Sequence, residues 1–498
     1  MYLFNRGRHI VSLSLFCSTV ALGQGAEIKG WGEGGTYVGD SQNPLWLRAN
    51  QFGTVPVEKQ IFSARTGFLY NSRAGQRDSA ISQHSRGFRW GVGTELILNV
   101  GHKTTSTLLP EAFVKVAWKK LEFWAGRRKE IIGIVDTTLT TGSFTWSGNA
   151  LPVPKIQIGL PEYLPLSFLK NYVSIKGFFA HGWYNTPYIQ GSYLHQKSLL
   201  VRIGKPEGVF SFQAGASHHV TWAGHAEYMK DNPHIVNGKL AGSFQDYLRG
   251  VVLAKVSKEY RNNRYTNFDG ENRIGNHVGQ FDFALTYQTP KAVWMFYNNH
   301  PFEDASGVVF RNMPDGLYGL SWKRKKEPRS IFEVTGVLAE YFFSKDQSGA
   351  GWNVPGSRFK GNDNYFNHGQ FIQGWSYFGR GMGSPLIATR NEITQAGTVI
   401  PEFFPSSRAV AYHAGLEGRV ASQILWQART TFSTHFGTNN ILYPSALRQF
   451  SGLLSVEAPL LKKEKMKLIT RIAYDQGDFL GTSLAGYIGV RYSGQWRK

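Results

Sequence analysis

Residues 484–496 read LAGYIGVRYSGQW, and their alternation decides the fold. Leu484, Gly486, Ile488, Val490, Tyr492, Gly494 and Trp496 fall on one side of an extended chain. Tyr487, Gly489, Arg491, Ser493 and Gln495 fall on the other. A strand repeats every two residues, so the two sets face opposite sides of a sheet. The first set is apolar and turns aromatic toward its end, as suits a strand that faces lipid and ends in an interfacial girdle.

The pattern recurs upstream. Leu199, Val201 and Ile203 alternate with Ser198, Arg202 and Gly204; Lys205-Pro206-Glu207-Gly208 supplies a turn, and Phe210, Phe212, Ala214 and Ala216 follow in phase. Pro and Gly provide the backbone angles such a turn needs. Phe281 to Tyr287, Tyr412 to Gly418 and Met466 to Ile472 alternate in the same way. A water-soluble sandwich would alternate too, but two features favour a barrel. The polar faces mix Asp282, Glu417, Glu457, Arg419, Arg429, Arg471 and Arg491, as a charge-paired lumen would. Short turns also alternate with long polar segments such as Asn353 to Gln370, the asymmetry of outer-membrane barrels. About 18 strands of ~10 residues would use less than half the chain, leaving mass for loops and a plug.

The rest of the composition agrees. Aromatics make up 14% of the 498 residues and glycine contributes 56, a strand, turn and interface vocabulary. With 42% hydrophobic residues, disorder is excluded. No segment approaches the ~18 consecutive apolar residues of a spanning helix, which leaves a closed barrel as the way to cross a membrane. Met1 to Gly23 has Arg6 and Arg8, an apolar run from Ile10 and a small-residue exit at Ala21 to Gly23, a secretory signal peptide. The expected organisation is therefore a signal peptide over 1–23 and one barrel domain over 24–498. Cys17, the single cysteine, lies inside the signal; Phe16 before it does not fit a lipidation box. Ser243 to Lys258 is expected to be helical, with Ser243 as N-cap and Asp246 in the first turn.

Chemical motifs are few. Gly30 to Gly35 matches GxGxxG in form, but nothing marks a strand before it or a helix after it. His218 and His219 would face opposite sides of a strand and cannot share a metal. Gly374-Trp375-Ser376-Tyr377 lacks the closing glycine of a nucleophile elbow. No catalytic residue, metal site or cofactor is expected.

Three blocks depart from plain barrel wall: Phe123 to Pro165, Ser217 to Gly224, and Asn362 to Leu386. They combine flat aromatics with amide, histidine and arginine donors, a chemistry that stacks on sugar rings and pairs with hydroxyls and carboxylates. The carbohydrate-binding candidates are Arg127, Arg128 and Trp146 in the first block, and His219, Trp222 and His225 in or beside the second. In the third they are Tyr365, His368, Trp375, Tyr377 and Arg380. Trp375 and Tyr377 would share a face, with Arg380 joining them if the chain bends at Gly379.

Pro44 to Gly53, Trp124 to Tyr163, Leu194 to Pro206 and Asn364 to Gly383 resemble, in order, the Wzi family of capsule assembly proteins. The resemblance spans nearly the whole chain after the signal. It implies an all-β, antiparallel outer-membrane barrel of about 18 strands, with a small helical periplasmic part and segments that occlude the lumen. It further implies a non-enzymatic lectin role, attaching exported capsular polysaccharide or exopolysaccharide to the cell surface of a Gram-negative cell. The formal charge of +21 suits acidic polysaccharide and lipopolysaccharide phosphates alike. The barrel assembly machinery is the other expected partner, and no nucleic acid is. A sugar-selective porin is the alternative that the same alternation allows, and a membrane-embedded hydrolase the third reading.

Overall fold

The computed structural model describes residues 26–72, 87–102, 104–255, 273–325, 330–349, 351, 359, 361–394, 397–460 and 465–497. The expected signal peptide lies outside them, as does part of the Asn353 to Gln370 segment. Eighteen antiparallel strands form one sheet in which each pairs with its neighbours in sequence. The first strand, β1 (Glu27–Gly39), pairs both with β2 (Ile61–Asn71) and with the last, β18 (Ser483–Arg497), and so closes the cylinder. Closure removes the sheet edge that a bilayer cannot solvate.

Alternation sorts side chains as the sequence demands. On β3 (Phe88–Gly101), Leu96, Leu98 and Val100 point outward and are 38–44% exposed, whereas Glu95, Ile97 and Asn99 point inward and are at most 1% exposed. On β18, Leu484, Ile488, Val490, Tyr492 and Trp496 face out, while Ala485 and Tyr487 are buried inside. The GxGxxG stretch lies within β1. A Cβ at inward-facing Gly35 would sit 2.4 Å from the Tyr487 hydroxyl, which reaches across to Glu33. Its glycines make room for packing.

An even number of strands returns both chain ends to one rim. The described turns at that rim are tight, as at 119–120, 289–291 and 421–423. The opposite rim carries the long connections, 40–60, 128–154, 223–275, 303–315 and 344–407. The helical turns Leu45–Arg48, Glu227–Met229, Phe244–Asp246, Ala305–Val308 and Gly397–Val399 all belong to these. At the terminal rim the described residues hold only the three-residue turn Ser167–Leu169, so among the described residues the helical turns lie mostly at the rim opposite to the one expected. Ser243 does cap a helix, in a reciprocal capping box with Asp246. The coil widens over Tyr247–Val252 and stops before Ala254 with its positive φ; the last expected residues, 256–258, lie outside the described ones.

Three of the long connections fold inward. Trp46, Ile132 to Trp146, and Tyr365 to Ala388 pack with inward wall residues such as Leu317, Leu338 and Phe342 into one apolar core inside the barrel. Such an irregular backbone strands its N–H groups in a dry interior unless side chains pair with them. Wall carboxylates and amides do so. Asp282 accepts from Ile134 N (3.1 Å), Glu340 from Thr141 N (2.7 Å), and Gln280 Oε1 from Thr145 N (2.9 Å). Asp136 of the plug in turn accepts from Ser321 Oγ (2.5 Å) and Lys323 Nζ (3.2 Å) of the wall.

Candidate functional site

The three anomalous blocks meet in the lumen. Ring centroids of Trp146 and His219 lie 5.6 Å apart, those of Trp146 and Trp375 6.1 Å, and those of His219 and Trp375 5.9 Å. The meeting point is a packed core. Trp375 is fully buried and donates from Nε1 to Thr145 O (2.8 Å); Trp146 and His219 are buried beside it. Neither Trp375 nor Trp146 offers a free face, so the expected stacking of a sugar on Trp375 has no place in this conformation. His219 bonds Gln196 and His218 bonds His277, on opposite faces of their strand.

Other candidates are also engaged. Trp222 is buried and stacks on Tyr247 (5.1 Å). Tyr365 donates to Asp315 (2.7 Å). His368 accepts from the backbone of Gln370 and Phe371. Arg128 pairs with Glu122 (2.6 Å) and covers Phe113 and Trp124. His225 is partly exposed at the long-loop rim and contacts Glu227 (2.8 Å). Among the described residues, no group of three or more His, Cys, Asp or Glu is placed to hold a metal.

Two guanidiniums grip one buried carboxylate. Arg380 contacts Glu392 at 2.5 Å, and Arg48, from the first long connection, contacts the same oxygen. Burial pushes the Glu392 carboxyl up, but the charges of Arg380 and Arg48 outweigh it and hold the group below its ordinary range. This ties the connection 40–60 to the connection 344–407.

The bend expected at Gly379 is present. Ser376–Tyr377 pairs with Arg380–Gly381, and Phe378 and Gly379 at the tip both have positive φ, 48° and 77°. The tight turn sets Tyr377 opposite Arg380 and pushes the Phe378 ring out, 52% exposed. Around this tip, at the long-loop rim, lies a cleft of ≈ 570 Å³. Arg127, Tyr377, Phe378 and Arg380 border it with Thr104, Ser106 and Thr107; among the described residues no carboxylate lines it, though the Thr104 hydroxyl donates to Glu58 (2.5 Å) beside it. Arg127 reaches the Tyr377 hydroxyl (3.5 Å), and Arg380 donates to Val55 O (2.9 Å). Three of the expected residues, Arg127, Tyr377 and Arg380, therefore come together, but only Arg127 is open to the cleft: Tyr377 is 2% exposed and Arg380 is held by Glu392. Phe378 and the Thr104–Thr107 hydroxyls were not expected; the aromatic–glycine pair at a turn tip was the available signal for the first.

A second cavity, ≈ 600 Å³, opens in the lumen toward the terminal rim and is lined by Lys29, Arg65, Lys129, Lys467, Arg471 and Arg491 around Glu95. Its cations meet wall acids: Arg491 with Glu33 (2.7 Å), Lys467 with Glu457 (3.9 Å), and Lys129 with Glu95.

Fold and plug together define a β-barrel of the outer-membrane type whose lumen is filled near the long-loop rim. Among solved structures, it is similar to Wzi, an outer membrane protein involved in group 1 capsule assembly in Escherichia coli and described as a carbohydrate-binding β-barrel. The TM-score is 0.55 at 12% identity, over 95% of this chain and 85% of that one. It also matches OccK5 (OpdH) of Pseudomonas aeruginosa, with TM-score 0.46 and 8% identity over 95% and 98% of the two chains. A further match is OprD of Pseudomonas aeruginosa, with TM-score 0.46 and 11% identity over 94% and 95%. No protein-family profile and no curated protein sequence matches the chain. At these identities the likeness to Wzi establishes the barrel fold and nothing finer.

Proposed function

We propose that this chain is a non-enzymatic, lectin-like outer-membrane barrel related to the Wzi family, which holds exported acidic capsular polysaccharide or exopolysaccharide at the cell surface. The observation that carries the reading is the long-loop-rim cleft: the Arg127 guanidinium, the exposed Phe378 ring and the hydroxyls of Thr104, Ser106 and Thr107, with no acid lining it among the described residues. A uronate or other acidic sugar matches each part. Its carboxylate pairs with Arg127, its C–H face lies on Phe378, and its hydroxyls meet Thr104, Ser106 and Thr107. Both chain ends lie at the far rim, so in the usual outer-membrane orientation the cleft faces outward. The plug speaks against the porin alternative, because an apolar core occupies the lumen where a conducting path would run.

The test is a titration of detergent-purified protein with the host's own polysaccharide, beside Arg127→Gln and Phe378→Ala. A charge-assisted bond or a stacked ring is worth on the order of 1–2 kcal/mol, so each variant should bind about tenfold more weakly. Cells carrying either variant should shed capsule at normal barrel abundance. Wild-type binding by both variants, with capsule retained, would remove the cleft from the account.

A further inference from the structure

Parts of the two long connections that do not fill the lumen, 223–275 and 303–315, lie on the outside of the wall. Beneath them the outward face changes character. Near the terminal rim, Ile203 and Leu199 of β8 (Ile189–Ile203) and Phe210 and Phe212 of β9 (Phe210–Trp222) face out and are exposed. Higher on the same faces stand Lys197, His195 and His218, with His181 beside them on β7 (Val173–Thr186). An ammonium and imidazoles facing hydrocarbon are costly.

A cover meets them. Tyr247 stacks on Trp222 (5.1 Å) and its hydroxyl meets His195 Nδ1 (3.4 Å); Lys197 donates to Val252 O, and Val251 packs with Val220. The cover also has an outer face. An ordinary helical turn puts Phe244 and Leu248, four apart, on one side, and the widened turn, closed by Leu253 N–H on Leu248 O (3.1 Å), adds Leu253. These three are 75%, 43% and 59% exposed. The connection 303–315 repeats the arrangement: Phe310 packs on Phe281 and His300 of the wall (5.2 and 4.7 Å), while Val308, Val309 and Met313 are exposed.

Strand register sets the depth. From Phe210 to His218 the strand runs ~26 Å, or ~20 Å of height at a tilt of ~40°, whereas the apolar band of such a barrel is ~25 Å tall. The turn 204–209 ends the wall just below Phe210, so a band that starts there includes the Lys197–His218 row, and a band that starts higher includes it more deeply. Lys197 also stands opposite Phe179, an exposed outward ring. The cover therefore continues the apolar wall without a step.

We propose that the outer faces of 244–253 and 308–313 lie in the outer leaflet and take its acyl chains, completing over these histidines the lipid-facing belt that Phe179 and Leu199 begin. Short amphipathic coils seat themselves in this way at the boundary of headgroups and chains. Seated there, the two connections hold this side of the long-loop rim at the membrane surface, whatever the rim cleft binds.

The experiment places a nitroxide on single cysteines in a Cys17→Ser background: Phe244→Cys and Met313→Cys on the cover, Leu199→Cys on the wall, and Lys230→Cys on the exposed part of the connection 223–275. Each heat-modifiable barrel is reconstituted in vesicles of phosphatidylethanolamine and phosphatidylglycerol. Labels at 244 and 313 should collide with dissolved oxygen more than with a water-soluble nickel chelate, as at 199, and the order should reverse at 230. Chelate collisions dominating at 244 and 313 would set the cover in water and overturn the proposal. Shielding from both reagents would show a protein surface there, a second copy or another part of this chain, and overturn it equally. On unlabelled wild type, a phospholipid with a diazirine in its acyl chain should crosslink to peptides containing 244–253 and 308–313; crosslinks confined to the strands would contradict it.

Discussion

Trp375 and Phe378 stand three residues apart in one aromatic block and have opposite fates. Trp375 is fully buried, its indole bonded to the plug backbone, whereas Phe378 is 52% exposed at the tip of a two-residue turn. Trp375 precedes the first arm of the hairpin and Phe378 sits on its positive-φ tip, so one ring faces the plug and the other the cleft. Aromatic density thus marks where the chain leaves the wall, and the turn decides which ring is free to meet a ligand.

The comparison breaks most readily on stability. Trp375→Ala should empty a large space between Trp146, His219 and Thr145, costing about 3–5 kcal/mol. The expected outcome is a clear loss of folded, heat-modifiable barrel on gels. Phe378→Ala should leave that behaviour within about 0.5 kcal/mol of wild type, as for most exposed positions. Equal losses from the two would abolish the distinction between plug and cleft.

The lock beneath the hairpin comes next. Glu392→Gln removes the charge that holds Arg48 and Arg380 together and leaves two buried guanidiniums facing each other. Breaking such a pair costs on the order of 3 kcal/mol, somewhat less where the amide oxygen still accepts a bond. Because the Glu392 carboxyl sits below its ordinary range in the fold, its stabilisation is present above the unfolded carboxyl pKa and lost as pH falls through the folded one. Protease nicking of the 344–407 connection should therefore increase under strong acid. Wild type should match Glu392→Gln there and resist better at neutral pH.

A neighbouring set of acids runs the other way. Burial, with the nearby Asp363 charge, pushes Glu303 up to about 8, and burial pushes Asp315 and Asp363 up to about 7. Raised carboxyls stabilise the fold below the unfolded pKa and lose that contribution as pH rises through the folded value. Glu303 accepts the Phe366 N–H (3.0 Å), and Asp315 accepts the Tyr365 hydroxyl and Gln347 N. Hydrogen exchange at the Phe366 amide, corrected for intrinsic base catalysis, should accelerate between pH 6 and 9, a window that follows from these values. A flat corrected rate would show that these carboxyls do not hold the connection. The effect should be the smallest of the set, because only the connections 303–315 and 344–407 share these bonds.

The strands were legible because their signal is local. Period-two alternation in Leu484–Trp496 or Leu199–Ile203 is written in adjacent residues, and each of those faces lies where alternation puts it. The same holds for the opposite faces of His218 and His219. The candidate site was legible only in part. Arg127, Tyr377 and Arg380 come together because Gly379 bends the chain, and that glycine could be read in advance. The burial of Trp146, His219 and Trp375 could not, since it depends on three blocks far apart in sequence folding into one lumen. Nor could the roles of Asp282 and Glu340. Alternation shows them facing inward, but only the path of 128–154 shows that they bind the plug's backbone. Phe378 was missed because exposure at a turn tip is a property of the hairpin, and the residue type alone says core.

A filled lumen, with binding at the long-loop rim, leaves no path for ions through the barrel. Single-channel recording of the purified protein in a planar bilayer tests it most directly. Wild type should show no stable conductance steps, with openings appearing only when the plug is loosened, as by Trp375→Ala reconstituted from whatever barrel folds. Regular, long-lived openings of wild type, narrowed or blocked by added sugar, would contradict it and make the chain a sugar channel.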